Sequence, residues 1–146
     1  MKEIYTSASE TDTESVGEML AKRLYGDRVP YAFIALFGEM GVGKTAFTRG
    51  FCRALGIHGV HSPTYTVVNA YEDGAYPVFH FDMYRITRED DLLSIGFDDY
   101  LARDGYSICE WSENITPFIP EDAITVTISR TDGGSGREIK IERTAS

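Results

Sequence analysis

Gly38-Glu39-Met40-Gly41-Val42-Gly43-Lys44-Thr45 fits the pattern G-x-x-x-x-G-K-[ST] at every position. Glycines at this spacing let the backbone curl until successive N–H groups point at one anion. A helix starting at the end of the loop adds about half a positive charge at its N-terminus. Lys44 can span the β- and γ-phosphates of a nucleotide, and the Thr45 hydroxyl can ligate Mg²⁺. Glu39 sits awkwardly beside phosphates and is read as facing solvent. The segment predicts a nucleoside triphosphate site. A glycine-rich turn with an incidental lysine is the plain alternative, and the flanking residues weigh against it.

Acids at the ends of apolar strands are the next candidates, because ligands of doubly wound sheets lie beyond the carboxyl ends of the parallel strands. Strand period puts Val78, His80, Asp82 and Tyr84 on one face, and Phe79, Phe81 and Met83 on the other. Asp82 can hold Mg²⁺ directly or through water; the competing reading is a carboxylate satisfied by local backbone or by Arg85. Glu110 closes Tyr106-Ser-Ile-Cys-Glu110 in the same way, fit to orient or deprotonate a water or to join the metal shell. The sequence does not divide those roles between the two acids. Trp111 follows and can line the site, although a lone Trp is more often packing. Ser62-Pro63-Thr64 taken alone is an ordinary turn; its position after the loop helix lets Thr64 reach Mg²⁺ or the water.

His58, His61 and His80 come without cysteines or helical pairing, so no zinc site is expected. No Asn-Lys-x-Asp follows Asn69 or Asn114, and Asp82-Met83-Tyr84-Arg85 is not Asp-x-x-Gly, which makes ATP rather than GTP the expected nucleotide. A small-molecule kinase is the rival. His80-Phe-Asp-Met-Tyr-Arg85 has an acid and an arginine for an acceptor, but little chain remains for an arginine-bearing lid.

These residues need a scaffold, and the hydrophobic pattern supplies one. Thr11-Asp12-Thr13-Glu14 reads as a capping box before a helix whose stripe is Val16, Met19, Leu20 and Leu24, ending at Gly26-Asp27. Tyr31–Phe37 is apolar throughout, as in a strand covered on both faces. Phe47, Phe51, Ala54 and Leu55 keep helical spacing, with Gly56 as the cap. Residues 66–72 and 77–84 read as strands around an Asp73-Gly74 turn. Residues 88–95 and 97–102 read as short helices, and 106–110 as another apolar strand. Ile124, Val126 and Ile128 alternate with polar residues, and Asp132-Gly-Gly-Ser-Gly136 turns into a last strand over 138–142.

Composition fits this reading. The chain has 146 residues, 42 % hydrophobic and 25 % charged, the proportions of one ordinary globular domain over 1–146. Fourteen basic against 23 acidic residues give a net charge of −9, which disfavours avid nonspecific nucleic-acid binding. Cys52 and Cys109 suggest neither a disulfide framework nor a metal site. With no apolar run long enough to span a bilayer, the expectation is a cytoplasmic chain without membrane contact.

Gly38 to Thr45, Ser62-Pro-Thr-Tyr-Thr66, His80-Phe-Asp-Met-Tyr-Arg85 and Glu110-Trp111, in this order, resemble the bacterial TsaE (YjeE) family over nearly the whole chain. The resemblance implies a P-loop NTPase-like three-layer α/β fold with a mostly parallel central sheet and a C-terminal antiparallel hairpin. It implies an ATPase of tRNA threonylcarbamoyladenosine biosynthesis that binds the threonylcarbamoyl-transferase complex and meets tRNA only through those partners. By motif match, Thr45 and Glu110 would be linked to Mg²⁺, Asp82 would support metal or water, and Thr64 and Trp111 would line the site. Gly136-Arg137-Glu138 resembles a late Gly-Arg-Glu segment of the family and would bring Arg137 to the nucleotide. Met40-Gly41-Val42 stands where the family more often has Leu-Gly-Ala. A nucleotide-gated binding module without turnover remains the third possibility.

Overall fold

An apolar strand with no polar face is stable only under cover on both sides, and the run at 31–37 lies in the interior of the sheet. The computed structural model describes residues 2–39, 41–131 and 133–143. Met40 and Asp132, both named above, fall outside them. The described elements are β1 (Lys2–Ser7), α1 (Glu10–Gly26), β2 (Tyr31–Phe37), α2 (Lys44–Ala54), β3 (Val68–Tyr71) and β4 (Val78–Asp82). They continue with α3 (Glu89–Ser94), α4 (Phe97–Leu101), β5 (Gly105–Glu110), a 3₁₀ segment (Ser112–Phe118), β6 (Ile124–Arg130) and β7 (Arg137–Arg143).

The strands form one sheet in the order β1-β7-β6-β2-β5-β4-β3. Its centre, β6-β2-β5-β4, is parallel, whereas β7, β1 and β3 pair antiparallel at the flanks. Alternation along the strands builds two cores. Ile34, Leu36, Ile108 and Val126 meet Leu20, Phe47 and Phe51 of α1 and α2 on one face. Phe33, Phe79 and Phe81 meet Leu92, Phe97 and Ile115 on the other, so the fold has three layers. Each such side chain taken fully out of water contributes roughly 1.5–3 kcal/mol.

Helix α1 lies on α2, the helix that follows the glycine loop, at very short range. A Cβ at Gly50 would stand 1.9 Å from the Glu14 carbonyl oxygen, so only a glycine allows this crossing. Around it, Arg49 donates to Glu10 and Glu14, and Arg53 to Glu14 and Glu18.

Four expectations change. The cap of α1 is Ser9, whose Oγ accepts from the Asp12 N–H at 3.1 Å while Asp12 accepts from the Ala8 N–H; Thr11 and Thr13 lie within the helix. Strand β1 was not expected, because an edge strand with Lys2, Ile4 and Thr6 turned to solvent carries little apolar signal. The expected strand over 66–72 shortens to Val68–Tyr71, since the Val67 N–H turns back to the Pro63 carbonyl at 2.7 Å with Val67 at φ +70°. The 3₁₀ segment was also unforeseen; it contains Pro117, which lacks a backbone N–H.

Candidate functional site

The glycine loop joins β2 to α2 with a left-handed residue, Gly43 at φ +114°, as the N-cap. No side chain caps α2, so the first-turn N–H groups are not claimed by a capping side chain. Thr13 of α1 packs beside this turn, 3.5 Å from where a Gly43 Cβ would be. Lys44 is buried, and its Nζ donates to the Gly38 carbonyl at 2.8 Å while lying 4.6 Å from the centre of the Trp111 ring. Gly38 therefore acts through its carbonyl, and Glu39 is exposed at the shoulder of the loop.

Parallel pairing sets Asp82 opposite Glu110 at the carboxyl ends of β4 and β5. Asp82 is 4 % exposed. Its Oδ1 accepts from the Tyr84 N–H at 2.9 Å, and its Oδ2 faces the hydroxyls of Ser62 and Thr64 at 3.4 and 3.3 Å. The Ser62-Pro63-Thr64 turn is thus drawn into the site, held at its far end by the Val67–Pro63 bond and by the Asp82 N–H on the Val67 carbonyl. Arg85 does not pair with Asp82; its guanidinium lies over the Tyr65 ring.

Glu110 is also buried, and its Oε2 lies 2.6 Å from Nε2 of His80. Trp111 follows with left-handed backbone at φ +58° and leans on Tyr84, ring centres 4.9 Å apart. Burial pushes the neighbouring Cys109 thiol up to about 12, which leaves it without nucleophilic thiolate.

Most of these groups line one cavity of about 600 Å³, although Gly38 and Glu39, expected at the nucleotide, and His80 and Cys109 are not in its wall. Gly41, Val42, Gly43, Lys44 and Thr45 line one side; Thr64, Asp82, Glu110 and Trp111 line the other. Arg137, at the start of β7, joins the wall and donates from Nε to the Val42 carbonyl at 3.0 Å, so it braces the loop directly. Sequence reasoning missed Ser7, Ser9 and Glu10, which bring the start of the chain to the cavity, and Arg49. It also missed His80 as a partner of Glu110. Strand period had set His80 on the face of Asp82, but nothing local pointed from there to Glu110 on the next strand.

Thr45, Asp82 and Glu110 offer oxygen donors, the chemistry a hard divalent cation takes. Among the described residues no three His, Cys, Asp or Glu side chains gather as a metal cage. Mg²⁺ commonly binds through one or two carboxylates plus substrate phosphates, so the oxygen donors of Thr45, Asp82 and Glu110 are of the right kind for it.

A mixed sheet with a glycine loop between its central strand and a helix, and acids at neighbouring strand ends, defines a protein with a P-loop NTPase-like fold. The family model described as "Threonylcarbamoyl adenosine biosynthesis protein TsaE" matches residues 7–139, and the chain belongs to that family. The tRNA threonylcarbamoyladenosine biosynthesis protein TsaE of Bacillus subtilis is 39 % identical over 111 residues, covering 75 % of this chain and 68 % of its own. The protein of the same name from Treponema pallidum is 30 % identical over 136 residues, covering 92 % and 96 %. The crystal structure of Bacillus subtilis YdiB superposes with a TM-score of 0.83 at 26 % identity, over 99 % of this chain and 87 % of that one.

Proposed function

We propose that this chain binds ATP with Mg²⁺ in the cavity and hydrolyses it in support of tRNA threonylcarbamoyladenosine formation. The observation that carries the reading is the convergence of the glycine loop, Lys44, Thr64, Asp82 and Glu110 on one cavity. The pathway comes from family membership.

Phosphoryl transfer to water asks a protein mainly for position and charge. The uncapped first turn of α2 and the glycine N–H groups receive the phosphates. Lys44 leaves the Gly38 carbonyl for the β- and γ-phosphates and gives up one charge-assisted bond for stronger ones. Thr45, Asp82 and Glu110 would hold Mg²⁺, which when bound neutralises the charge on the phosphate oxygens. Glu110 orients the attacking water and accepts its proton. Thr64, held near Asp82, steadies the metal side of the cavity.

The protein partners are the subunits of the tRNA threonylcarbamoyl-transferase complex, with tRNA reached through them, in the cytoplasm. Among the described residues no helix is long and apolar enough to cross a membrane. Among the described residues, the wall arginines already have partners, Glu10 and Glu14 for Arg49 and backbone carbonyls for Arg137, so each would have to give up bonds to reach a γ-phosphate. Turnover alone is accordingly expected to be slow and to rise with the complex present.

Following a γ-labelled phosphate tests this. Free phosphate, released faster with the complex, supports the ATPase. Label on a small acceptor would make the chain a kinase, and bound ATP without repeated turnover would make it a nucleotide-gated module.

A further inference from the structure

The buried histidine behind Glu110 has no part in the reading so far. His80 lies on β4 two residues before Asp82, and Glu110 lies two residues beyond the partner of His80 on β5, so both point to the same face. His80 is 0 % exposed, and its Nε2 is 2.6 Å from Glu110 Oε2. Its other nitrogen, Nδ1, is buried and has no hydrogen-bond partner among the described residues.

An imidazole kept only for packing is a poor choice here. A buried nitrogen without a partner costs free energy that an aliphatic side chain of similar size avoids. What the ring gains in return is the single bond to Glu110. That bond also decides the tautomer. With hydrogen on Nε2 the unpartnered atom is a bare acceptor, whereas hydrogen on Nδ1 would strand a buried donor, the rarer arrangement in folded proteins.

We propose that His80 is the positioning residue for Glu110: its Nε2–H engages Oε2 and fixes the carboxylate so that Oε1 is presented to the cavity. The backbone of Glu110 is fixed as well, its carbonyl accepting from the Met83 N–H at 3.0 Å, so side chain and main chain are both tied to the β4 segment. This inference rests on the ATPase reading for its kinetic consequence, though not for the bond itself.

Three variants separate positioning from packing. Gln at 80 carries an amide N–H close to the place of Nε2; Asn is too short and offers its amide near Nδ1; Leu fills space only. His80→Leu and His80→Asn should lower kcat about 10–100-fold, the usual effect of losing a supporting hydrogen bond, with KM for ATP within about threefold of wild type. His80→Gln should recover most of that loss. In a Glu110→Gln background the same changes should have little further effect. Should His80→Leu fail to fold, the contrast between Gln and Asn carries the test. Equal rates for those two, or a raised KM with kcat intact, would overturn the proposal.

A second readout needs no nucleotide. Nitrogen NMR of the free protein should find the proton of His80 on Nε2, with a resonance that moves in Glu110→Gln; a proton resting on Nδ1 would overturn the proposal. Absence of phosphate release from the wild type, with or without the complex, would count against the ATPase reading, while the NMR result still decides the fate of the His80–Glu110 bond.

Discussion

If the proposed ATPase reading holds, Lys44 serves binding and Glu110 serves chemistry, and substitutions of the two should fail differently. Lys44→Ala removes the one lysine of the loop and should abolish productive ATP binding, read as the loss of heat in calorimetry. Glu110→Gln keeps the shape and should still bind ATP while turnover falls about 10²–10⁴-fold, the range for losing a positioned general base. Unchanged hydrolysis in the first variant, or a wild-type rate in the second, would remove that residue from its role. The legibility of the site follows the same division. The loop could be read from local spelling because its chemistry needs eight consecutive residues. The pairing of His80 with Glu110 joins residues thirty apart across two strands and depends on register, which no local pattern encodes. Ser7 reaches the cavity from a strand at the far side of the sheet and was hidden for the same reason, whereas Arg137, from the neighbouring strand, was flagged by its Gly-Arg-Glu segment.

At the level of elements, the α1–α2 crossing is where the fold supports the loop. Gly50→Ala forces a Cβ against the Glu14 carbonyl, and overpacking of this kind costs about 1–3 kcal/mol or more. A fall of several degrees in Tm is the expected result, and an unchanged Tm would mean that the helices slide apart freely. The ionic clasp around that glycine depends on pH. Hydrogen bonds from Arg49 and then Arg53 hold the Glu14 carboxyl below its ordinary value of 4.5. A lowered folded-state value means that the stabilisation is complete above 4.5 and disappears as pH falls through the folded value. Thermal melts at stepped pH should therefore steepen below about pH 4.5 and flatten in Glu14→Gln. Helices and interior strands were legible because their apolar periods are long and regular. The edge strand β1, the true cap at Ser9 and the 3₁₀ segment were not. The edge strand is decided by a partner distant in sequence, the cap by a hydroxyl two residues before the expected one, and the 3₁₀ segment carries no long apolar period.

Taken whole, the molecule is closed by strands from opposite ends of the described chain. Residues 2–7 pair with 137–142, and β7 in turn pairs with β6. A chain stopped after Arg130 would lack both the partner of β1 and the Arg137 brace on Val42, and should lose ATP affinity and melt at lower temperature. Wild-type affinity in that truncation would sink the expectation. The same pairing has a consequence for biosynthesis. A ribosome adding roughly 5–20 residues per second needs on the order of ten seconds between the first strand and its partner. For most of that interval the glycine loop has been made, but the wall that Arg137 contributes has not. Nascent β1 meanwhile offers unpaired backbone to any neighbouring strand until the β6–β7 hairpin has emerged to receive it.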